Sequence, residues 1–341
     1  MWAMPPWVPE RIRSALPAGA ELVVLDLPAD GTGDGALRAD PALLAAVEDA
    51  DVYLGYGVPA EVLRRGSRLR WVHSASAGVG SSLTPEMMAS PVLFTNSAGV
   101  HAPPMAETVL AMILHFGRGL DLAVREQALG RWGAEAFYAG EAAVTELSSA
   151  TVGIVGFGGV GREVARRAAA LGARVLATRR SRGAGSEDLE TVGGGASQPA
   201  AARLLHGPEA LARLLEESDY LVLAAPLTTR TRGILGREAL HRMKPSAVVV
   251  NVSRGALVDE QALVEALREG RLRGAALDVF AAEPLPAGHP LWALPNVLLT
   301  PHVSAVTRGF WEREVELVVG NLRRLVEGRA LWNLVDKRAG Y

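Results

Sequence analysis

Arg254, Glu283 and His302 are the side chains whose types could move a proton and steady a negative charge. Histidine exchanges a proton near neutral pH, and a carboxylate beside it favours the protonated ring. A guanidinium adds fixed positive charge where an oxyanion develops. Upstream, Gly156-Phe-Gly-Gly-Val-Gly161 spells G-x-G-x-x-G. Glycines at that spacing permit a tight turn, let the backbone approach a pyrophosphate and bring a helix against a strand, while the helix N-terminus offers partial positive charge. Gly156, Gly158, Gly159, Val160 and Gly161 are therefore the candidate cofactor turn.

These residues need elements to place them, and the apolar pattern supplies such elements. Runs at 152–155, 175–178, 220–224, 248–252, 275–280 and 297–300 read as six strands, and most are separated by helical patterns. The glycine turn follows the first run and opens a helix at Arg162. Arg254 follows the fourth, Glu283 the fifth and His302 the sixth, which is the edge of an open α/β sheet where ligands bind. The count fits a Rossmann, doubly wound parallel sheet. Residues 183–207, rich in Gly, Ala and Ser, read as a mobile surface insertion.

Before this section, runs at 21–27, 51–57, 69–74 and 92–96 alternate with helical stretches at 41–48 and 59–64. They predict a second, smaller parallel α/β domain of flavodoxin-like type. His101-Ala-Pro-Pro-Met-Ala-Glu107 opens a long helix with Val109, Met112, Ile113 and Phe116 on one face. One amphipathic helix, 310–327, ends the pattern and is expected to return to the first domain. The expected division is 1–100 plus 303–341 for the substrate domain and 101–302 for dinucleotide binding.

Bulk properties narrow the function classes. The chain has 341 residues, 49% hydrophobic and 21% charged, with a net charge of −2. Two domains are expected at roughly 100 to 200 residues each. Near-neutral charge gives no field to recruit nucleic acid. There are no cysteines, so disulfides, thiolate metal sites and a cysteine nucleophile are excluded. No apolar run reaches the ~18 residues that cross a bilayer, and the N-terminus lacks a signal-peptide pattern, so a cytoplasmic location is expected.

The residue after the second strand of a dinucleotide fold selects the cofactor. An acidic side chain there would receive the adenosine ribose, but this chain has Arg179-Arg180-Ser181. Two guanidiniums and a hydroxyl suit a 2′-phosphate, which predicts NADP in preference to NAD. A solvated arginine pair is the competing reading.

Three ordered segments, Asn251-Val-Ser-Arg-Gly-Ala-Leu-Val-Asp259, Leu277-Asp-Val-Phe-Ala-Ala-Glu-Pro284 and Pro295-Asn-Val-Leu-Leu-Thr-Pro-His302, resemble the D-isomer-specific 2-hydroxyacid dehydrogenases. This family includes glyoxylate or hydroxypyruvate reductases and phosphoglycerate dehydrogenases. The similarity runs from about Val52 to Tyr341. It implies that Arg254 binds the substrate carboxylate and keto oxygen, that His302 is the acid/base and that Glu283 bonds its imidazole. It further implies that Asp278 contacts the nicotinamide side and that Ser76, Ala77, Gly78 and Val79 offer backbone N–H groups to the carboxylate. Ala225, Pro226, Val252 and Ser253, at the ends of the same strands, are expected beside the cofactor.

Hydride addition to a ketone leaves charge on oxygen, which a protonated His302 and Arg254 would meet, and no metal is required. The resemblance also implies a homodimer, paired through the region after the linking helix. His73, His101, His115, His206, His241 and His289 read as packed or solvated, and Glu107 and Arg118 as structural. A dinucleotide-sensing corepressor and a small phosphoglycerate dehydrogenase are alternatives. Formate dehydrogenase ranks lower, because Glu283 is acidic where glutamine would be called for.

Overall fold

The computed structural model describes residues 4–27, 39–140, 142–179 and 202–340. They fall into two compact units, one holding the described residues up to 101 and from 307 onward, the other those between 102 and 306.

The smaller unit carries three parallel strands in sheet order β1-β2-β3: β1 (Val52–Gly55), β2 (Trp71–Ser74) and β3 (Leu93–Asn96). Successive residues of a strand face opposite sides. Val72 thus joins Val47, Val62, Met87 and Phe94 under the short helices, whereas Trp71 joins Val315, Val318, Val319 and Leu322 of helix Phe310–Val326. The last helix therefore covers the first domain, as the pattern led us to expect. It packs beside Trp7–Arg13, a helix too short to stand out in the sequence.

The expected strand at 21–27 does not form. Val23 and Val24 are 59% and 41% exposed, and no backbone ladder among the described residues includes this segment. Leu22 packs partly against the core, but apolar content alone does not make a strand where no neighbouring backbone pairs with it.

The larger unit is a seven-stranded, all-parallel sheet. Its strands are β4 (Thr151–Val155), β5 (Arg174–Thr178), β6 (Ala202–Leu205), β7 (Tyr220–Leu223), β8 (Val248–Asn251), β9 (Gly274–Leu277) and β10 (Val297–Leu299). Their order is β10-β9-β8-β7-β4-β5-β6. β6 is the strand that the sequence reading missed, and it corrects part of the insertion expected at 183–207; positions 183–201 lie outside the described residues. Ala202 to Leu205 is a short run whose pairing with β5 defines it, since an edge strand needs few apolar residues.

The central strands are buried at every position, and alternate residues join the cores on opposite faces of the sheet. Ile154, Val175, Val222, Val250 and Ala276 pack under helices Ala102–Gly117 and Gly159–Ala170. Leu176, Leu221, Val249, Ala275 and Leu277 pack under Ala210–Glu217, Arg237–Arg242 and Glu260–Arg268. Helices on both faces explain why these strands read as nearly continuous apolar runs. Each buried leucine contributes about 1.5–3 kcal/mol to this layering.

Candidate active site

Because all seven strands run parallel, their C-terminal ends share one edge. β5 and β6 build outward on one side of β4, and β7 to β10 on the other. Open α/β folds bind ligands at such a switch point, which here lies between β4 and β7.

The glycine turn sits at this point, and each glycine has its own reason. Gly156 leaves β4 at φ +98°, and a Cβ there would lie 2.7 Å from the Ala225 backbone. At Gly161 a Cβ would strike the carbonyl oxygen of Gly156. Gly158 has open space, with nothing within 4 Å of an added Cβ. Two glycines thus close the turn against the β7 end, and the third leaves its face clear beside the N-terminus of helix Gly159–Ala170. Such a cradle of small residues and amides fits a pyrophosphate. Gly159 and Val160 open the helix itself.

Arg179 stands just past β5, half-buried. Arg162, which the sequence reading did not single out, lies over the Phe157 ring with its guanidinium carbon 5.8 Å from the centroid. Burial first, and then the charge of Arg179, hold the Arg162 guanidinium below the usual arginine range. Two neighbouring cations at this corner favour an anion between them. Arg180 and Ser181 lie outside the described residues.

The candidate reacting groups lie on the β8 to β10 side. Val252 is buried, and Ser253 Oγ donates to the Ala225 carbonyl at 2.6 Å, which ties the ends of β7 and β8 next to Pro226. Arg254 follows, its carbonyl accepting from Asn251 Nδ2 at 3.0 Å and its Nη1 donating to the Ser253 carbonyl at 2.7 Å. A Cβ at Gly255 would collide with the Phe280 and Ala281 backbone. The segment carrying Arg254 therefore rests directly on the loop carrying Glu283.

His302 and Glu283 meet across this edge, Nδ1 to Oε2 at 2.6 Å. Both side chains are 32% exposed, so a substrate can reach them. The other carboxylate oxygen of Glu283 accepts the Phe280 N–H at 2.9 Å, which fixes the acid's own rotamer. His302 has φ +54°, a left-handed conformation that costs a non-glycine residue about 1–2 kcal/mol. It is held there from Asp278, whose carbonyl accepts the His302 N–H at 2.8 Å.

Asp278 holds more of this loop than expected from sequence. Its carboxylate is fully buried and accepts from Thr300 Oγ1 at 2.6 Å and from the Val303 and Ser304 N–H groups at 2.9 Å each. Thr300 belongs to the site for this reason, and its only sequence signal was its place just before Pro301 and His302.

In the smaller unit, Ser76, Ala77, Gly78 and Val79 follow β2. The Ser76 and Ala77 carbonyls accept from the Ser97 N–H at 3.3 Å and from Asn96 Nδ2 at 2.8 Å, and Val79 is buried in the core.

The family profile described as D-isomer specific 2-hydroxyacid dehydrogenase, NAD binding domain, matches residues 110–304. A glyoxylate reductase of Korarchaeum cryptofilum is 34% identical over 307 residues, covering 89% of this chain and 88% of that protein. The chain belongs to the D-isomer specific 2-hydroxyacid dehydrogenases.

Solved members of this dehydrogenase family share the architecture. The Xanthobacter autotrophicus Py2 enzyme, in complex with NADPH and MES, is 31% identical with a TM-score of 0.76 over 98% of this chain and 95% of that one. The NADPH-dependent glyoxylate/hydroxypyruvate reductase of Sinorhizobium meliloti, in complex with NADP and sulfate, is 27% identical with the same TM-score, over 99% and 98%. The chain is thus an oxidoreductase of the NAD(P)-dependent hydroxyacid dehydrogenase class.

Proposed function

We propose that the protein reduces a small 2-keto acid of the glyoxylate or hydroxypyruvate kind to its D-2-hydroxy acid, with NADPH as the preferred cofactor. The observation that carries this reading is the His302–Glu283 pair, seated on a loop that rests against the Arg254 segment.

When bound, the nicotinamide supplies a hydride to the keto carbon. His302, with Nδ1 bonded to Glu283, gives a proton to the keto oxygen through Nε2. Arg254 holds the substrate carboxylate and steadies the developing charge on oxygen. In this reading the smaller unit is the substrate domain and the larger the dinucleotide domain. In the reverse direction neutral His302 accepts the hydroxyl proton.

The preference for NADPH rests on Arg179 and its neighbour Arg162, and the Xanthobacter and Sinorhizobium relatives described with NADPH or NADP support it. Ala225, Pro226, Val252, Ser253 and Asp278 line the nicotinamide half in this reading. A homodimer is proposed through the segment after helix Ala102–Gly117, where Leu129, Trp132 and Tyr138 are 62%, 95% and 91% exposed. Large apolar side chains exposed together mark an interaction surface. No helix among the described residues is long and apolar enough to cross a membrane, and we place the enzyme in the cytoplasm.

The test is a matrix of 2-keto acids against NADH and NADPH, run on the wild type and on Arg179→Asp. Turnover of glyoxylate or hydroxypyruvate with NADPH preferred, and loss of that preference in the variant, is expected. Inactivity across the whole panel would favour a cofactor-sensing role over catalysis, and a wild-type preference for NADH would overturn the reading of Arg179.

A further inference from the structure

The loop that presents Glu283 has two supports, and one is a titratable side chain that the mechanism above does not use. Glu260 begins helix Glu260–Arg268, whose N-cap is its predecessor Asp259, accepting the Ala262 N–H at 3.1 Å. With the cap supplied by Asp259, Glu260 reaches away from its helix. Its Oε1 accepts the N–H of Ala281 at 2.6 Å, and its Oε2 faces Nε2 of His289 at 3.6 Å. The Glu260 side chain is 16% exposed, and the Ala281 amide that it holds lies at the surface.

The position of that bond matters. Ala281 stands two residues before Glu283, and the preceding N–H, that of Phe280, is taken by Glu283 itself at 2.9 Å. Consecutive amides of one loop are therefore anchored to two carboxylates, the first from within the loop and the second from the segment that bears Arg254. Gly255 closes the same gap by backbone contact with Phe280 and Ala281. A hydrogen bond to an ionised acceptor is about twice as strong as a neutral one. Contact at Gly255 fixes how near the loop lies, whereas the bond from Glu260 fixes which way its amides face.

We infer that Glu260 is a positioning residue for the reaction: through the Ala281 N–H it sets the loop from which Glu283 orients the His302 imidazole. The inference rests on the proposed acid/base role of His302. Misplacement of a catalytic group by about 1 Å costs up to about a hundredfold in rate. Glu260→Ala removes the anchor, while Glu260→Gln keeps an acceptor oxygen for the same N–H.

Two readouts test this. Proton NMR of the whole enzyme reads the His302 Nδ1–H in its short bond to Glu283 as a downfield resonance, assigned by its loss in His302→Asn. We expect the resonance in the wild type and in Glu260→Gln, and its loss or broadening in Glu260→Ala. In steady state kcat should fall about tenfold in Glu260→Ala, with KM for the keto acid within about twofold of wild type, and recover in Glu260→Gln. An unchanged resonance in Glu260→Ala, or a Glu260→Gln variant as impaired as the alanine one, overturns the inference. The spectrum is read without substrate, so a wild type that reduces no keto acid would defeat the proposed function and leave this test intact.

Discussion

Nδ1 of His302 lies 2.6 Å from Oε2 of Glu283, joining two loops that leave neighbouring strands β9 and β10. The bond fixes the ring and, in the proposed reaction, leaves Nε2 for proton transfer. General acid/base groups contribute about 10²–10⁴ in rate, so His302→Asn should lower kcat by that order. Glu283→Gln keeps the side-chain shape and loses the charge, and should lower kcat by about ten- to a hundredfold with a smaller change in KM. Steady-state kinetics of the two variants checks both.

Asp278 ties the His302 loop through three accepted hydrogen bonds to its carboxylate. Asp278→Asn replaces one acceptor oxygen with an N–H2 donor and sets it against a donor of the loop. Leaving such buried groups unsatisfied costs about 1–3 kcal/mol. Denaturant titration should show that loss of stability together with a fall in kcat, because the left-handed backbone of His302 is released.

The three glycines of the turn should separate in their effects. Gly161→Ala places a methyl group against the Gly156 carbonyl oxygen and should lower both Tm and cofactor affinity. Gly158→Ala meets open space, so its Tm should stay near wild type while its Kd for NADPH rises at least about tenfold, the methyl occupying room the pyrophosphate needs. Thermal melts and cofactor fluorescence distinguish the two cases.

Stability should carry a histidine signature away from the active site. Burial holds the His115 imidazole below its ordinary value of 6.5, opposed by the charge of Asp121 and assisted by that of Arg273. The unfolded chain therefore binds this proton more readily than the folded one. Stability is present above pH 6.5 and declines as pH falls through that value. Tm measured between about pH 5 and 8 should show this slope, and His115→Gln should reduce it.

Much of the candidate site could be read from sequence because strands buried on both faces leave unmistakable apolar runs, and its polar side chains sit at their ends. Arg254, Glu283 and His302 each follow such a run. β6 and the segment at 21–27 were misread for one shared reason: edge structure is decided by whether a neighbouring backbone pairs with it, and local composition carries no record of that. Thr300, Glu260 and Arg162 were missed because their roles depend on partners distant in sequence, Asp278, Ala281 and Arg179. Asp278 itself was located, but its work in holding the His302 loop became visible only through the Val303 and Ser304 amides.

In the proposed reaction His302 delivers the proton for NADPH-dependent reduction of a keto acid. The most direct test of that role is the rate of glyoxylate or hydroxypyruvate reduction by wild type and His302→Asn, with the NADPH dissociation constant of each measured alongside. Wild-type turnover is expected in the usual enzymatic range of about 1–10³ s⁻¹, with a variant that binds NADPH equally well but turns over at least about a hundredfold more slowly. Equal rates in the two proteins would contradict that role.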